Sequence, residues 1–86
     1  MILELTGVAR LRAGRDRVEV EAVSLGEALR RLARDCPGVV PDVVEPSGRL
    51  ARHFIASRNG GPFSRDAALP LAPDDRVVIV GAQAGG

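Results

Sequence analysis

The spacing of apolar and polar residues predicts an initial β-hairpin. Residues 2–11 alternate reasonably well, with Leu3 and Leu5 on one side and Ile2, Glu4 and Thr6 on the other, which is the two-residue period of a strand. Residues 13–16 contain glycine and aspartate and are typical of a turn. Residues 18–21 alternate again, so we expect a second strand that pairs with the first.

The clearest helix signal begins at Ser24. A serine can cap a helix N-terminus, and Glu27, three residues later, completes a capping-box pattern. Apolar residues then recur at helical spacing, while arginines occupy the other face. The helix should end at Cys36, because Pro37 and Gly38 cannot continue it.

Three further strands are predicted beyond this helix. Residues 39–49 contain two prolines and a glycine and are expected to be irregular, with a short helical turn at 41–44. The strand-like segments are residues 50–57, 63–64 and 76–80, separated by turns at 59–61 and 72–75.

This order of elements predicts an α+β domain. Strands at both chain ends flank one helix that must cover one face of the sheet. Joining those strands across the helix gives a mixed sheet with a parallel central pair. The expected fold is a ubiquitin-like β-grasp, with a sheet of four to five strands packed on one main helix. We expect a β-grasp domain over residues 1–81 and a flexible diglycine tail over residues 82–86.

Composition sets limits on partners and compartment. The 86 residues are 45% hydrophobic and carry a net charge of +1 with the two signs interspersed, so we expect no nucleic-acid and no membrane partner. The single cysteine excludes an internal disulfide and fits a reducing compartment. No secretory pattern is seen at the N-terminus, and the expected location is cytoplasmic. All 12 basic residues are arginine, so no lysine is present for acylation.

Residues capable of catalysis are sparse. The sequence contains no phosphate-binding glycine motif, and one cysteine and one histidine cannot build a zinc site, so we predict no bound cofactor and no metal. Cys36 is interpreted as an apolar filler, His53 as a structural or surface residue of the third strand, and Asp74 and Asp75 as turn formers. The chain is therefore not expected to be an enzyme.

The last strand and the tail are more informative. Alternation places Val77 and Ile79 on one face and Val78 and Val80 on the other, and only one pair can pack under the helix. We predict that Val78 and Val80 form a partner-binding surface, although isolated surface valines are ordinary.

The tail that follows this strand reads Ala84-Gly85-Gly86. Glycine has no Cβ, so such a tail can enter a narrow channel and present the Gly86 carboxylate to another protein's active site. Fraying of a small-residue terminus is the alternative.

Together these features resemble the ubiquitin-like sulfur carriers, which include the small subunit of molybdopterin synthase and the carriers for thiamine and cysteine synthesis. The resemblance covers nearly the whole chain. It rests on residues 24–32, 36–38, 45–50, Phe54, 59–60, 71–77 and 84–86. Two departures stand out. Residues 72–75 replace the Asp-Gly-Asp usual before the last strand, and Gly81 stands where a proline is usual, which should loosen the tail.

The resemblance implies a function for Gly86. In such carriers a ubiquitin-activating-type enzyme uses ATP to adenylate the terminal carboxylate. A sulfur donor then converts it to a thiocarboxylate, and a synthase accepts the sulfur. Gly85 and Ala84 would belong to the inserted tail, and this chain would bind no cofactor itself.

Two other functions stay open, and so does the pathway. The chain could be a protein modifier joined through Gly86, or a noncovalent β-grasp interaction module. A carrier could serve molybdopterin, cysteine, thiamine or a specialised metabolite.

Overall fold

The computed structural model describes residues 1–82. In chain order it contains β1 (Ile2–Leu5), α1 (Gly7–Ala13), β2 (Arg17–Glu19), α2 (Leu25–Asp35), a 3-10 turn (Pro37–Val39), β3 (Phe54–Arg58), β4 (Phe63–Ser64) and β5 (Arg76–Gly81). None of the helices in this part of the chain has the length and apolar character needed to cross a membrane.

The strands form one mixed sheet in the order β2-β1-β5-β3-β4. β1 and β5 run parallel at its centre, with Leu3 opposite Val77 and Leu5 opposite Ile79. The other neighbours are antiparallel. The predicted α+β class, the β-grasp arrangement and the parallel central pair are confirmed.

The core lies between one face of this sheet and α2. Leu25, Leu29 and Leu32 line the buried side of α2 and are at most 1% exposed. Leu3 and Val77 project from the sheet into the same cluster. Because small domains bury a limited fraction of their surface, this single cluster must supply most of the hydrophobic stabilisation.

Capping fixes the ends of α2 where the sequence predicts them. The Ser24 hydroxyl accepts a hydrogen bond from the Glu27 N–H at 3.2 Å. The Glu27 carboxylate accepts one from the Val23 N–H at 3.3 Å, one residue before the expected partner in a capping box. The helix ends at Asp35, and the Cys36 N–H still bonds the Leu32 carbonyl.

The prediction of a strand over residues 2–11 is wrong beyond Leu5. The chain instead turns into α1, which buries Ala9 and ends at Gly14. Gly14 has φ 73°, a left-handed conformation that glycine adopts without the steric cost of a Cβ, and its N–H caps the Arg10 carbonyl. The hairpin partner β2 is correspondingly short, and the sheet packs against a second, smaller helix that the sequence did not indicate.

The segment between α2 and the third strand also differs from the prediction. β3 begins at Phe54 rather than at residue 50, so His53 lies in an exposed turn and not in a strand. Leu50 forms an isolated bridge with Val44. A 3-10 turn that the sequence did not indicate lies at Pro37–Val39, where the prolyl residue starts it directly after α2. A further turn follows at residues 40–43, close to the helical turn expected at 41–44, and the Val43 N–H bonds the Val39 carbonyl at 2.8 Å.

Candidate partner-binding face and tail root

β5 presents two different faces. Val77 and Ile79 are fully buried against the core, whereas Val78 and Val80 are half-buried on the opposite side. The alternation predicted from the sequence is therefore present. Binding of a partner at Val78 and Val80 stays a prediction.

Cross-strand neighbours extend this second face into a patch. Val80 lies opposite Ile55 and Val78 opposite Ser57 on β3, and Ser57 in turn lies opposite Phe63 on β4. Phe63 is 58% exposed. We call Ile55, Phe63, Val78 and Val80 the open-face patch. An exposed apolar cluster on a sheet is a common mark of a protein interaction site.

Charged residues border the patch at its far end from the tail. Glu4 lies beside Val78 in the parallel register, and its carboxylate is 3.3 Å from an Arg76 guanidinium nitrogen. Both side chains are well exposed, so this ion pair adds little stability. An apolar centre with a polar rim is the usual anatomy of a protein interface.

β5 leads from this patch directly to the root of the tail. Gly81, its last residue, lies opposite Phe54, and the Ala82 N–H donates to the His53 carbonyl at 2.6 Å. A Cβ built on Gly81 would come no closer than 4.0 Å to the His53 oxygen, so packing alone does not demand glycine there. The predicted tail residues Ala84, Gly85 and Gly86 lie outside the described residues 1–82.

The turn that holds the tail root is itself held by Arg65. One guanidinium nitrogen, Nη1, donates to the carbonyls of Ala51, Arg52 and Phe54 at 2.7–3.1 Å. The other, Nη2, donates to the Leu50 carbonyl at 3.0 Å. Sequence reasoning did not single out Arg65, because its partners are 11 to 15 residues away and no local pattern links them.

At the opposite end of β3, Asp75 acts as the predicted turn former. Its carboxylate accepts from the Ala72 N–H at 2.8 Å and from the Asn59 side-chain amide at 2.9 Å. The backbone bond from Ala72 and then the Asn59 amide lower the pKa of Asp75 below its ordinary value. Asn59 also accepts from the Arg76 N–H, so the turns at residues 59–60 and 72–75 are tied together.

The remaining candidates for chemistry do not form a site. Cys36 is buried in the core at 5% exposed, as expected for an apolar filler, and His53 is exposed. Across residues 1–82, no group of three or more His, Cys, Asp or Glu side chains could hold a metal ion.

Comparison with known proteins places this fold among small ubiquitin-like proteins. No protein-family model and no curated protein matches the sequence. Among solved structures, SAMP1 from Haloferax volcanii is 25% identical, with a TM-score of 0.78 over 99% of this chain and 97% of that one.

Two other solved structures contain CysO. CysO from Mycobacterium tuberculosis is 24% identical, with a TM-score of 0.77 over 95% of this chain and 98% of that one. The BexX/CysO complex of Amycolatopsis orientalis gives 19% identity and a TM-score of 0.80 over 99% and 98%. Together these similarities confirm the resemblance to ubiquitin-like sulfur carrier and modifier proteins.

Proposed function

We propose that this chain is a sulfur carrier whose Gly86 carboxylate is adenylated by a partner enzyme and then converted to a thiocarboxylate. The chain would act as a protein co-substrate and not as an enzyme. Its partners would be a ubiquitin-activating-type enzyme that uses ATP, a sulfur donor, and a synthase that accepts the sulfur. Such a cycle suits the reducing, ATP-containing cytoplasm.

The observation that carries the proposal is the course of β5. This central strand forms half of the open-face patch and then continues through Gly81 and Ala82 toward Gly85 and Gly86. The tail starts only a few residues after the patch. A partner that binds the patch could therefore receive the tail in the partner's own active site. The CysO of Amycolatopsis orientalis was solved in a complex with BexX, and we infer that this chain also works by docking to a partner protein.

The chemistry at Gly86 follows from the low electrophilicity of a carboxylate. A carboxylate oxygen attacks the α-phosphorus of ATP, pyrophosphate leaves, and the acyl-adenylate that forms has AMP as a good leaving group. A donor sulfur at the oxidation level of hydrosulfide then attacks the carbonyl carbon. The bond to the AMP oxygen breaks, a proton is lost, and the thiocarboxylate remains. Gly85 leaves the path to this carbon free of side-chain atoms.

Protein modification is the second candidate function. The similarity to SAMP1 at 25% identity favours it. The name SAMP1 stands for small archaeal modifier protein 1, as the structure of SAMP1 from Methanosarcina acetivorans spells out. The same acyl-adenylate would then pass to a target amine instead of to sulfur. A noncovalent β-grasp module would need neither reaction.

Intact-mass measurement of the protein purified from its host separates these functions. We expect a species heavier by the replacement of one oxygen with one sulfur, located at Gly86 by fragmentation. Covalent adducts with other proteins would instead identify a modifier. If only the unmodified chain is found, with neither the thiocarboxylate nor adducts, both the carrier and the modifier function are contradicted.

Removal of Gly86 provides the matched variant. The truncated chain should keep the melting temperature of the full chain, because β5 ends at Gly81. It should no longer accept AMP or sulfur. Activation of the truncated chain would exclude Gly86 as the reacting residue.

A further inference from the structure

The Arg65 guanidinium donates hydrogen bonds to nearly all the backbone carbonyls of residues 50–54. Of the five residues 50–54, four direct their carbonyl oxygens to its guanidinium, at 2.7–3.1 Å. The fifth carbonyl belongs to His53, and it accepts the Ala82 N–H at 2.6 Å. One side chain thus organises the turn whose remaining acceptor holds the first residue of the tail.

The physical reason for this arrangement lies in the guanidinium group. It is planar and permanently charged, and hydrogen bonds from a charged donor are stronger than neutral ones. Four carbonyl dipoles that point at one cation cannot easily turn away, so the peptide planes of residues 50–54 are held in one orientation. The position of the His53 oxygen is set by its neighbours on either side, Arg52 and Phe54, both bonded to Arg65.

We propose that Arg65 is a positioning residue for activation of the chain: it fixes the His53 carbonyl, which anchors Ala82 and sets the point and direction from which the tail continues. This inference rests on the proposed function, in which a partner must receive Gly86 after docking elsewhere on the domain. Holding a reacting group in a productive orientation before the reaction lowers the entropic part of the barrier. Arg65 itself touches no reacting atom.

Amide hydrogen exchange at Ala82 tests the structural half of the proposal without any partner. In Arg65→Gln the Ala82 amide should exchange on the order of tenfold faster, the protection given by one hydrogen bond of ordinary net strength. Arg58→Gln is the matched control, because Arg58 also donates its guanidinium to a backbone carbonyl, that of Pro70 at 2.7 Å. The control should leave exchange at Ala82 unchanged.

Steady-state kinetics with the purified adenylating enzyme of the host test the functional half. Pyrophosphate exchange measured against carrier concentration gives kcat and KM separately. Because the open-face patch is untouched, Arg65→Gln should lower kcat about tenfold and leave KM within about twofold. A variant that is partly unfolded would have a lower melting temperature and a lower concentration of active protein. A melting curve is therefore recorded for each variant first, to establish that it is folded at the assay temperature.

A double-mutant cycle identifies the route of the effect. Replacing Ala82 by its α-hydroxy acid analogue exchanges the N–H for an ester oxygen, removes the hydrogen bond to His53 without fixing φ, and should lower kcat on its own. If Arg65 acts through this hydrogen bond, adding Arg65→Gln to the ester variant lowers kcat no further. Additive losses would show that Arg65 acts through another route and would overturn the proposal.

The outcomes separate the inference from the function on which it rests. Unchanged exchange at Ala82 in Arg65→Gln overturns the inference, and so does a rise in KM at constant kcat. If the wild-type chain is never adenylated, the proposed function fails, while the exchange experiment still decides whether Arg65 holds Ala82. Should Arg65→Gln not fold, Arg65→Lys keeps the charge and loses the second donor, so it should show the same pattern with a smaller change.

Discussion

The two faces of β5 can be separated by one pair of substitutions, Ile79→Ala and Val80→Asp. Ile79 is fully buried opposite Leu5 and Ala56, and its truncation removes core contacts on every side. Such truncations cost about 2–5 kcal/mol. An 86-residue domain has a total stability of about 4–13 kcal/mol. With about 4–8 °C per kcal/mol for a domain of this size, a mid-range loss of about 3 kcal/mol lowers the melting temperature by about 12–24 °C.

Val80→Asp should have little effect on stability and a larger effect on binding. Val80 is half-buried on the open face beside Ile55, so the new carboxylate reaches water and the cost is limited to lost cross-strand packing, about 1 kcal/mol. Binding should suffer more, because a charge placed in the apolar centre of an interface must be desolvated. We expect at least about a tenfold loss of affinity for the adenylating enzyme.

Melting curves and titration calorimetry on the same preparations measure both effects. Val8→Asp is the matched control, since Val8 is 49% exposed on α1 and the substitution adds the same charge at a residue outside the open-face patch. A melting temperature for Val80→Asp as low as that of Ile79→Ala would show that the two faces are assigned in reverse. Equal loss of binding in Val8→Asp would mean that net charge, and not the open-face patch, controls docking.

Three further substitutions test the fold and its pH dependence. Ser24→Ala removes the hydroxyl that caps the Glu27 N–H and should destabilise the domain by about 1 kcal/mol in urea denaturation; no change would mean that solvent replaces the cap. Gly38→Ala places a Cβ against the Arg12 carbonyl oxygen, so α1 must shift, and we expect a loss of about 1–3 kcal/mol by thermal melting. Folding lowers the pKa of Asp75 below its ordinary value of 3.8, so the ionised carboxylate stabilises the folded state at pH values above 3.8. This contribution is lost as the pH falls below 3.8 and through the lowered pKa of the folded state. Asp75→Asn should therefore be less stable than wild type at neutral pH, and the difference should shrink in acid; a constant difference from pH 7 to pH 2 would contradict this reasoning.

Elements with a redundant local signal could be predicted from the sequence. For α2, a cap, a helical apolar period and a terminating proline and glycine all agree, and the structure follows each of them. For β5, an apolar run bounded by a turn predicted both the strand and its two faces. Agreement among independent local preferences is what makes a segment predictable.

The missed helix α1 shows how a short segment can mislead. Ala9, Leu11 and Ala13 alternate with arginines, which is a strand pattern, yet the structure buries Ala9 and leaves Leu11 74% exposed. Seven residues are too few for helical periodicity to outweigh such alternation. The one usable signal was Gly14, a glycine that follows a turn containing two basic residues, Arg10 and Arg12, as is common at helix ends.

The boundary of β3 was unpredictable for a different reason. Residues 50–53 have strand character, but the carbonyls of residues 50–52 turn toward the Arg65 guanidinium instead of toward a neighbouring strand. This competition involves a side chain more than ten residues away, so no window of the sequence around residue 50 contains it. His53 was placed in the strand for the same reason and lies in the turn.

Gly81 stands where the sulfur carriers that this chain resembles usually have a proline, and this difference has a physical consequence at the tail root. A proline restrains a chain locally, by fixing its own φ, whereas glycine leaves that freedom open. In this structure the next residue, Ala82, is restrained instead by a hydrogen bond to the His53 carbonyl, and the turn that carries this carbonyl is held by Arg65. Under the proposal made above, the restraint on the tail root of this chain comes from a side chain in another part of the chain and not from a proline in β5. A restraint of this kind can be lost by one substitution far from the tail in sequence, which is why Arg65, and not Gly81, is the residue at which the direction of the tail should be most sensitive to change.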